Sequence, residues 1–212
     1  ELNQPLGASS INIEFLQKKL AQNKLSPESA QEILGQLASD NLRASNIIKS
    51  LRGIFARDTA ITGQHDINAL IKNVLSFTKP ELDAQQIKVN LALAPVVSAP
   101  INSSEIQQVL VNVLNNSIHA LANQKTTDGR LVTIQSVSTD QEIRIIISDN
   151  GPGIPDERKD QLFDIFSGAT KSGMGLGLWL CNHIITRHNG KIWYESMPTL
   201  GARFIIALPK AV

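Results

Sequence analysis

Two glycine-rich turns constrain this chain more than any other feature. The first is Asp149-Asn150-Gly151-Pro152-Gly153-Ile154 and the second is Gly173-Met174-Gly175-Leu176-Gly177-Leu178. Between them lies a segment with little regular apolar pattern. The run Ile143 to Ser148 reads as a buried strand, so Asp149 falls where the strand ends and the backbone turns sharply. A carboxylate there can accept a hydrogen bond from an exocyclic amine, and glycines let a planar ring approach the main chain. The second turn passes directly into the apolar segment Leu178 to Arg187, read as a helix whose free N–H groups and positive dipole end suit phosphates. Either turn alone is a weak signal. Together, bracketing a loop and preceded by an asparagine-bearing helix, they form a strong one.

The totals narrow the partners. At 212 residues and 42% apolar content the chain can hold one or two packed domains, and with 4% aromatics the packing must be aliphatic. A formal net charge of +1 gives no bulk attraction to nucleic acid or to an anionic membrane. The single cysteine, Cys181, excludes an internal disulfide framework, fits a reducing compartment and has no catalytic-thiol motif around it. No apolar run approaches the roughly 20 residues that span a bilayer, and no signal peptide opens the chain. The expectation is a cytoplasmic protein, or the cytoplasmic part of a membrane-bound receptor whose remaining sequence lies upstream.

Along the chain, Leu2, Leu6, Ile13, Leu16 and Leu20 recur on a heptad seam, with Ser9 in the small gap. Asn23 to Leu25 breaks it, and Ser26-Pro27-Glu28 restarts a helix with a capping hydroxyl, proline at the first helical position and an acid in the first turn. Ile33, Leu37, Ala44, Ile47, Leu51 and Ile54 continue a similar seam, and Leu34, Ile48 and Phe55 widen it. Two helices cannot bury both seams alone, which predicts a dimeric four-helix bundle. A plain coiled-coil spacer is the alternative. Residues 58–65 read as a linker or edge strand and a domain boundary. Beyond them the pattern predicts helix (Asp66 to about Phe77), strand (Ile87 to Leu93), helix (Ser103 to Asn123), strand (Leu131 to Ser138), strand (Ile143 to Ser148), the glycine region, helix (Leu176 to Arg187), strand (Lys191 to Glu195) and strand (Ala202 to Leu208). The third and second strands, and the last two, are spaced as hairpins. The fold class is α+β: the helical hairpin of residues 1–57, then an α/β sandwich with a mixed sheet over residues 66–212.

Within the helix from Ser103, Glu105, Asn112, Asn116 and His119 share one narrow stripe beside the apolar face of Ile106, Val109, Leu110, Val113 and Leu121. Asparagine is a mediocre helix former, so three of them in a helix interior, with Asn115, need a reason. An oxygen ligand for Mg²⁺ is one such reason, with His119 available to a phosphate oxygen. A solvated helix face is the other. Asp156, Glu157 and Asp160 read as the acidic first turn of a short helix after Pro155, and His65, His183 and His188 as structural residues.

With these segments in hand the chain resembles the cytoplasmic core of a two-component sensor histidine kinase. Glu1-Leu2-Asn3-Gln4-Pro5-Leu6 is similar to the tail of the H box, Gln108 to Ala120 to the N box, Asp149 to Ile154 to the G1 box and Gly173 to Leu178 to the G2 box. Leu162-Phe163-Asp164-Ile165-Phe166 resembles the F box and Leu200-Gly201-Ala202-Arg203-Phe204 a late glycine box. The resemblance implies a dimerisation and phosphotransfer hairpin followed by the catalytic ATP-binding domain of the gyrase, Hsp90, histidine kinase and MutL superfamily. It implies ATP and Mg²⁺ as cofactors, a homodimer through the hairpin, and the receiver domain of a response regulator as partner. It gives Asn116 as Mg²⁺ ligand, Asp149 as the adenine-recognising carboxylate, and Asn112 and His119 near the phosphates. Gly151, Gly153 and Ile154 then shape the adenine pocket, Gly173, Gly175, Leu176 and Gly177 the phosphate turn, and residues 163–172 the lid, with Lys171 as a cation for the triphosphate. Relatives commonly carry threonine where Ala202 follows Gly201.

The phosphoacceptor histidine of the family directly precedes the pattern that starts at Glu1, so the resemblance puts it one residue upstream. Glu1 then corresponds to the acid that accepts the imidazole proton, and Gln4 to the position that orients water for dephosphorylating the regulator. The plainer reading of both is a solvated helix start. An ATP-hydrolysing relative of the same superfamily is the second function. Those proteins carry a glutamate base four residues before the Mg²⁺ asparagine, where this chain has Asn112, whose amide cannot take a proton from water. A purely structural dimerisation module leaves both glycine turns unexplained.

Overall fold

The computed structural model describes residues 3–22, 24–55, 63–95, 98–124, 129–164, 169–170, 173–174, 176–197 and 201–210; at 3–4, 39, 42–43, 45–55, 169–170 and 173–174 only the backbone is described. The chain divides into two compact units, Glu1–Ala56 with Thr170–Met174, and Arg57–Ala169 with Gly175–Val212.

The first unit holds two helices, α1 (Asn3–Ala21) and α2 (Pro27–Phe55), packed on each other across a short turn. The turn closes as the sequence predicts: Ser29 N donates to Ser26 Oγ at 3.2 Å, and Pro27 and Glu28 open α2. Glu28 lies below the usual carboxylate range because backbone N–H and the Ser26 hydroxyl donate to it. Ile33 and Ala44 are buried, but Leu6, Ile13, Phe15, Leu20 and Leu34 are exposed. The seam residues Leu2, Ile47, Leu51 and Ile54, and residues 58–62 of the expected linker, lie outside the described residues or side chains.

The second unit begins with β1 (Gln64–Asp66), which pairs antiparallel with β3 (Ser98–Pro100). Asp66 caps α3 (Ile67–Ala84), its Oδ1 accepting from Asn68 N at 2.8 Å and Ala69 N at 3.3 Å. This helix was expected to end near Phe77, yet it runs through Pro80. Proline removes one backbone donor, whereas the buried stripe of Ile71, Val74, Thr78 and Leu82 continues for another turn and outweighs that loss. There follow β2 (Lys88–Leu93), α4 (Ser103–Ala122), β4 (Leu131–Ser138), β5 (Glu142–Asp149), the short α5 (Asp156–Lys159), β6 (Ala169–Thr170), β7 (Gly173–Met174), α6 (Gly177–Arg187), β8 (Lys191–Ser196) and β9 (Ala202–Pro209).

Five strands form one mixed sheet in the order β2-β4-β5-β9-β8, parallel between β2 and β4 and antiparallel elsewhere; β6 and β7 pair with each other. Alternate residues of β4 and β5, Val132, Ile134, Ile143, Ile145 and Ile147, are buried on one face. Ile71 and Val74 of α3 and Leu110 and Leu114 of α4 close over Ile134 and Ile147, leaving a cavity of about 10 Å³. That is too small for more than about one water, so this core is close-packed. On the far side of α4, the Cys181 thiol of α6 points to Val109 O at 3.8 Å, and burial pushes it up to about 12. The thiolate is therefore inaccessible at neutral pH.

Candidate functional site

Strand β5 delivers Asp149 to the end of the sheet, in register with Val132 and Ala202. Its carboxylate is 4% exposed and already carries three protein donors. Gly151 N donates to Oδ1 at 2.9 Å and Ala202 N to the same oxygen at 3.3 Å, while Ser117 Oγ on α4 donates to Oδ2 at 2.9 Å. Burial pushes this carboxyl above the ordinary aspartate range, and the three hydrogen bonds pull it back down.

The glycines around it are there because nothing larger fits. A Cβ on Gly151 would meet Asp149 Oδ1 at 2.7 Å, and one on Gly201, whose φ is +142°, would meet Asp149 O at 2.2 Å. Gly153, at φ +74°, faces Gly201 O at 3.0 Å from its notional Cβ. The first glycine turn and the glycine before β9 thus interlock over one buried carboxylate. Asn150 ties this corner to the rest of the sheet: its Oδ1 accepts from Leu131 N at 2.8 Å, its Nδ2 donates to Gly129 O at 2.6 Å, and Gln124 Nε2 of the loop after α4 donates to its carbonyl at 3.0 Å. Ile154, which follows Gly153, is half-buried.

Helix α4 supplies the adjoining wall. Ser117 and Ala120 face the turn, since Ala120 Cβ lies 3.5 Å from the position a Gly151 Cβ would take. Asn116 and His119, each one residue earlier, are exposed, and Asn112 is half-buried. Asn115 Oδ1 is buried without a hydrogen-bond partner, whereas the buried Asn112 amide lies against the Cys181 thiol of α6. An orphaned amide oxygen in a helix this well packed calls for something polar beside it. Glu105, at the other end of the stripe, is turned away to α6: Arg187 Nη1 lies 3.4 Å from its Oε1. Beside them His188 is buried, accepting from Asn102 N through Nε2 at 3.0 Å, so that Nδ1 carries the proton donated to Ile184 O at 2.8 Å. It is a structural histidine that locks the end of α6 to the start of α4.

Helix α6 starts at Gly177 with Leu176 as N-cap, and no side chain caps its first N–H groups. A Cβ on Gly177 would meet nothing within 4 Å. Such an open start leaves backbone donors for an anion. Of the remaining sequence-predicted site residues, Glu1, Lys171 and Gly175 lie outside the described residues, and only the backbone of Gln4 and Gly173 is described. Asp156 and Glu157 stand in the first turn of α5, where Asp156 pairs with Lys159, whose ammonium also reaches Ser196 Oγ at 2.5 Å and lies over the Tyr194 ring.

Sequence reasoning singled out Asp149 and its glycines but missed Ser117 and the fastening role of Asn150. Ser117 had a readable signal: a hydroxyl among Val113, Leu114, Ile118 and Leu121 on the apolar face has to find a buried partner.

A family model described as histidine kinase-, DNA gyrase B-, and HSP90-like ATPase matches residues 101–212. The sensor histidine kinase TmoS of Ectopseudomonas mendocina is 30% identical over 211 residues, covering 99% of this chain and 22% of that protein. The sensor protein FixL of Bradyrhizobium diazoefficiens is 31% identical, covering 100% of this chain and 42% of that protein. The chain therefore spans less than half the length of these relatives. Among solved structures, histidine kinase ThkA in complex with response regulator protein TrrA has a TM-score of 0.73 and 23% identity, covering 100% of this chain and 59% of that one; it is a likeness of fold.

Proposed function

The chain belongs to the histidine kinase-, DNA gyrase B-, and HSP90-like ATPase family, and on that premise we propose that it is a sensor histidine kinase core, transferring phosphate from ATP to a histidine and then to a response regulator. The family is ATP-binding, and its relatives here are sensor histidine kinases. The observation that carries the site assignment is the buried Asp149 carboxylate, which holds three protein donors and keeps one acceptor position open above a floor that admits only glycine. An exocyclic amine completes that set. Asp149 then reads the adenine, with Gly151, Gly153 and Ile154 around the ring and Gly173, Gly175, Leu176, Gly177 and Lys171 toward the phosphates.

The residues present suit Mg²⁺. Asn116 offers a hard amide oxygen at the exposed edge of α4, one turn after the half-buried Asn112. The metal's contribution is to neutralise phosphate charge. Asn116 would hold the ion, with Asn112 and His119 available to phosphate oxygens.

The acceptor in this reading is a histidine one residue upstream of Glu1. Its imidazole nitrogen forms a bond to the γ-phosphorus as the bond to the β,γ-bridging oxygen breaks, ADP leaves, and the imidazole proton passes to Glu1. An aspartate of the receiver domain then takes the phosphoryl group from the phosphohistidine, and Gln4 holds the water that later hydrolyses the aspartyl phosphate. The assignment to residues 1–57 as the phosphotransfer hairpin, 58–65 as linker and 66–212 as catalytic domain belongs to the same reading.

Dimerisation through the hairpin is supported by its unfilled apolar surface. Ile13, Leu16, Leu20, Leu25 and Leu34 line a groove of about 360 Å³. A second copy of the hairpin, completing a four-helix bundle, covers it. Among the described residues no helix is long and apolar enough to cross a membrane, and the reading assigns the chain to the cytoplasm, with any membrane link upstream.

The ATP-hydrolysing alternative is disfavoured by Glu105. It is the only acid on α4, and it is held by Arg187 rather than turned toward Asn116. The test is labelling with γ-labelled ATP. The chain extended upstream by its natural sequence acquires acid-labile phosphate on the residue before Glu1, and the present 212 residues acquire none. Label on His65, His119, His183 or His188 contradicts the reading.

A further inference from the structure

Ser117 lies outside every role assigned above, yet among the described residues its hydroxyl is the one side-chain donor to the Asp149 carboxylate. It is 1% exposed, so water does not compete for it. A carboxylate has about four lone-pair positions, two on each oxygen. On Asp149, Gly151 N and Ala202 N fill both on Oδ1, and Ser117 Oγ fills one on Oδ2. A serine hydroxyl has one proton and two lone pairs. Once that proton is committed to Oδ2, Ser117 has no proton left to give. The corner made by Ser117 and Asp149 is then uniformly hydrogen-accepting, with the free position on Oδ2 beside the Ser117 oxygen.

We infer that Ser117 is a positioning residue for base recognition: by spending its proton on Asp149 Oδ2 it fixes the carboxylate's orientation and favours a purine bearing a 6-amino group over one that lacks it. The inference rests on the reading of Asp149 as the base-recognising carboxylate. A 6-amino group supplies the missing donor, whereas a 6-oxo group brings a third acceptor into a corner that has no proton left to give. Without the hydroxyl, the carboxylate loses a fixed partner on the oxygen the ligand uses, and its side chain is free to turn about the bonds held only through Oδ1.

The test is a comparison of two nucleotides on the whole chain. Calorimetry measures the affinity of the β,γ-imido analogues of ATP and of purine riboside triphosphate, which lacks the 6-amino group, for the parent protein and for Ser117→Ala, Ser117→Thr and Asp149→Asn. Ser117→Ala weakens the adenine nucleotide about 10-fold and leaves the purine nucleotide within about 2-fold, and Ser117→Thr, which keeps the hydroxyl, restores the adenine preference. Equal weakening of both nucleotides means that Ser117 only packs, and unchanged adenine affinity means that its hydroxyl does not act on recognition; either overturns the inference. If the alanine variant loses its cooperative melt, Ser117→Cys, similar in volume with a much weaker donor, carries the same comparison. Full adenine affinity in Asp149→Asn overturns the reading beneath, independently of what Ser117 does.

Discussion

In the sheet-bearing unit Ile143, Ile145 and Val113 are 0% exposed, whereas in the helical hairpin Leu6, Ile13 and Leu20 stand 49%, 46% and 65% exposed. Both units are rich in aliphatic residues, and they handle them in opposite ways. The sheet and its helices close a core within one chain, leaving Asn115 Oδ1 without a partner beside the site. In the hairpin Ile33 and Ala44 are buried, but the described apolar residues of the first helix stay largely open. If, as proposed, the polar site takes a nucleotide and the exposed apolar residues take a second hairpin, the two should fail separately when altered.

The largest effect expected from breaking this separation is on association. Ile13→Glu places a charge in the proposed bundle interior twice per dimer. At about 1.5–3 kcal/mol for each aliphatic side chain whose burial is lost, dimerisation weakens by about 100-fold or more. Sedimentation then finds a monomer at micromolar concentration, and ATP-analogue affinity stays at the parent value. Loss of nucleotide binding in the same variant would break the comparison. Next comes Asn116→Ala, which should lower Mg²⁺-dependent nucleotide affinity by about 10-fold and leave metal-free binding and dimerisation intact. Equal loss with and without Mg²⁺ would remove the ligand role.

The smallest effect is that of pH, and it has two signs. Burial holds the Asp149 carboxyl above its ordinary value of 3.8. In the proposed site nucleotide binding needs the ionised form, so affinity should decline as pH falls through the raised value, by about 2-fold where the group is half protonated. Folding stability runs the other way. Asp149's contribution is fully present below 3.8 and is lost as pH rises through the folded value, because the charged form is the one that burial penalises. Affinity and melting temperature measured across that window should therefore move in opposite directions on this residue's account.

Much of the sheet unit was legible because its strands are β-branched runs with sharp ends. Leu131–Ser138 was read with both boundaries, and Glu142–Asp149 and Ala202–Pro209 were each within a residue at either end. What escaped notice was short or contextual. The three-residue strand Ser98–Pro100 carries no readable period, and Gln64–Asp66 was anticipated only as one of two readings, linker or edge strand, of residues 58–65. The helix from Asp66 was read as ending near Phe77 because local sequence does not show that Thr78 and Leu82 are buried beyond it. At the site, Asp149 was legible from its glycines. The bond from Ser117 was not, because it joins residues 32 apart that meet only when α4 lies across the end of β5.

The most direct test of the central claim, that the buried carboxylate at the end of β5 reads the nucleotide base, is a calorimetric titration of the parent chain and Asp149→Asn with a non-hydrolysable ATP analogue and Mg²⁺. The exchanged amide places a donor where the base amine needs an acceptor and removes a hydrogen bond to a charged group, so affinity should fall by about 100-fold or more. The variant should melt no lower than the parent at neutral pH, since a buried charge has been removed. Saturable binding by Asp149→Asn with the parent's affinity would contradict the account.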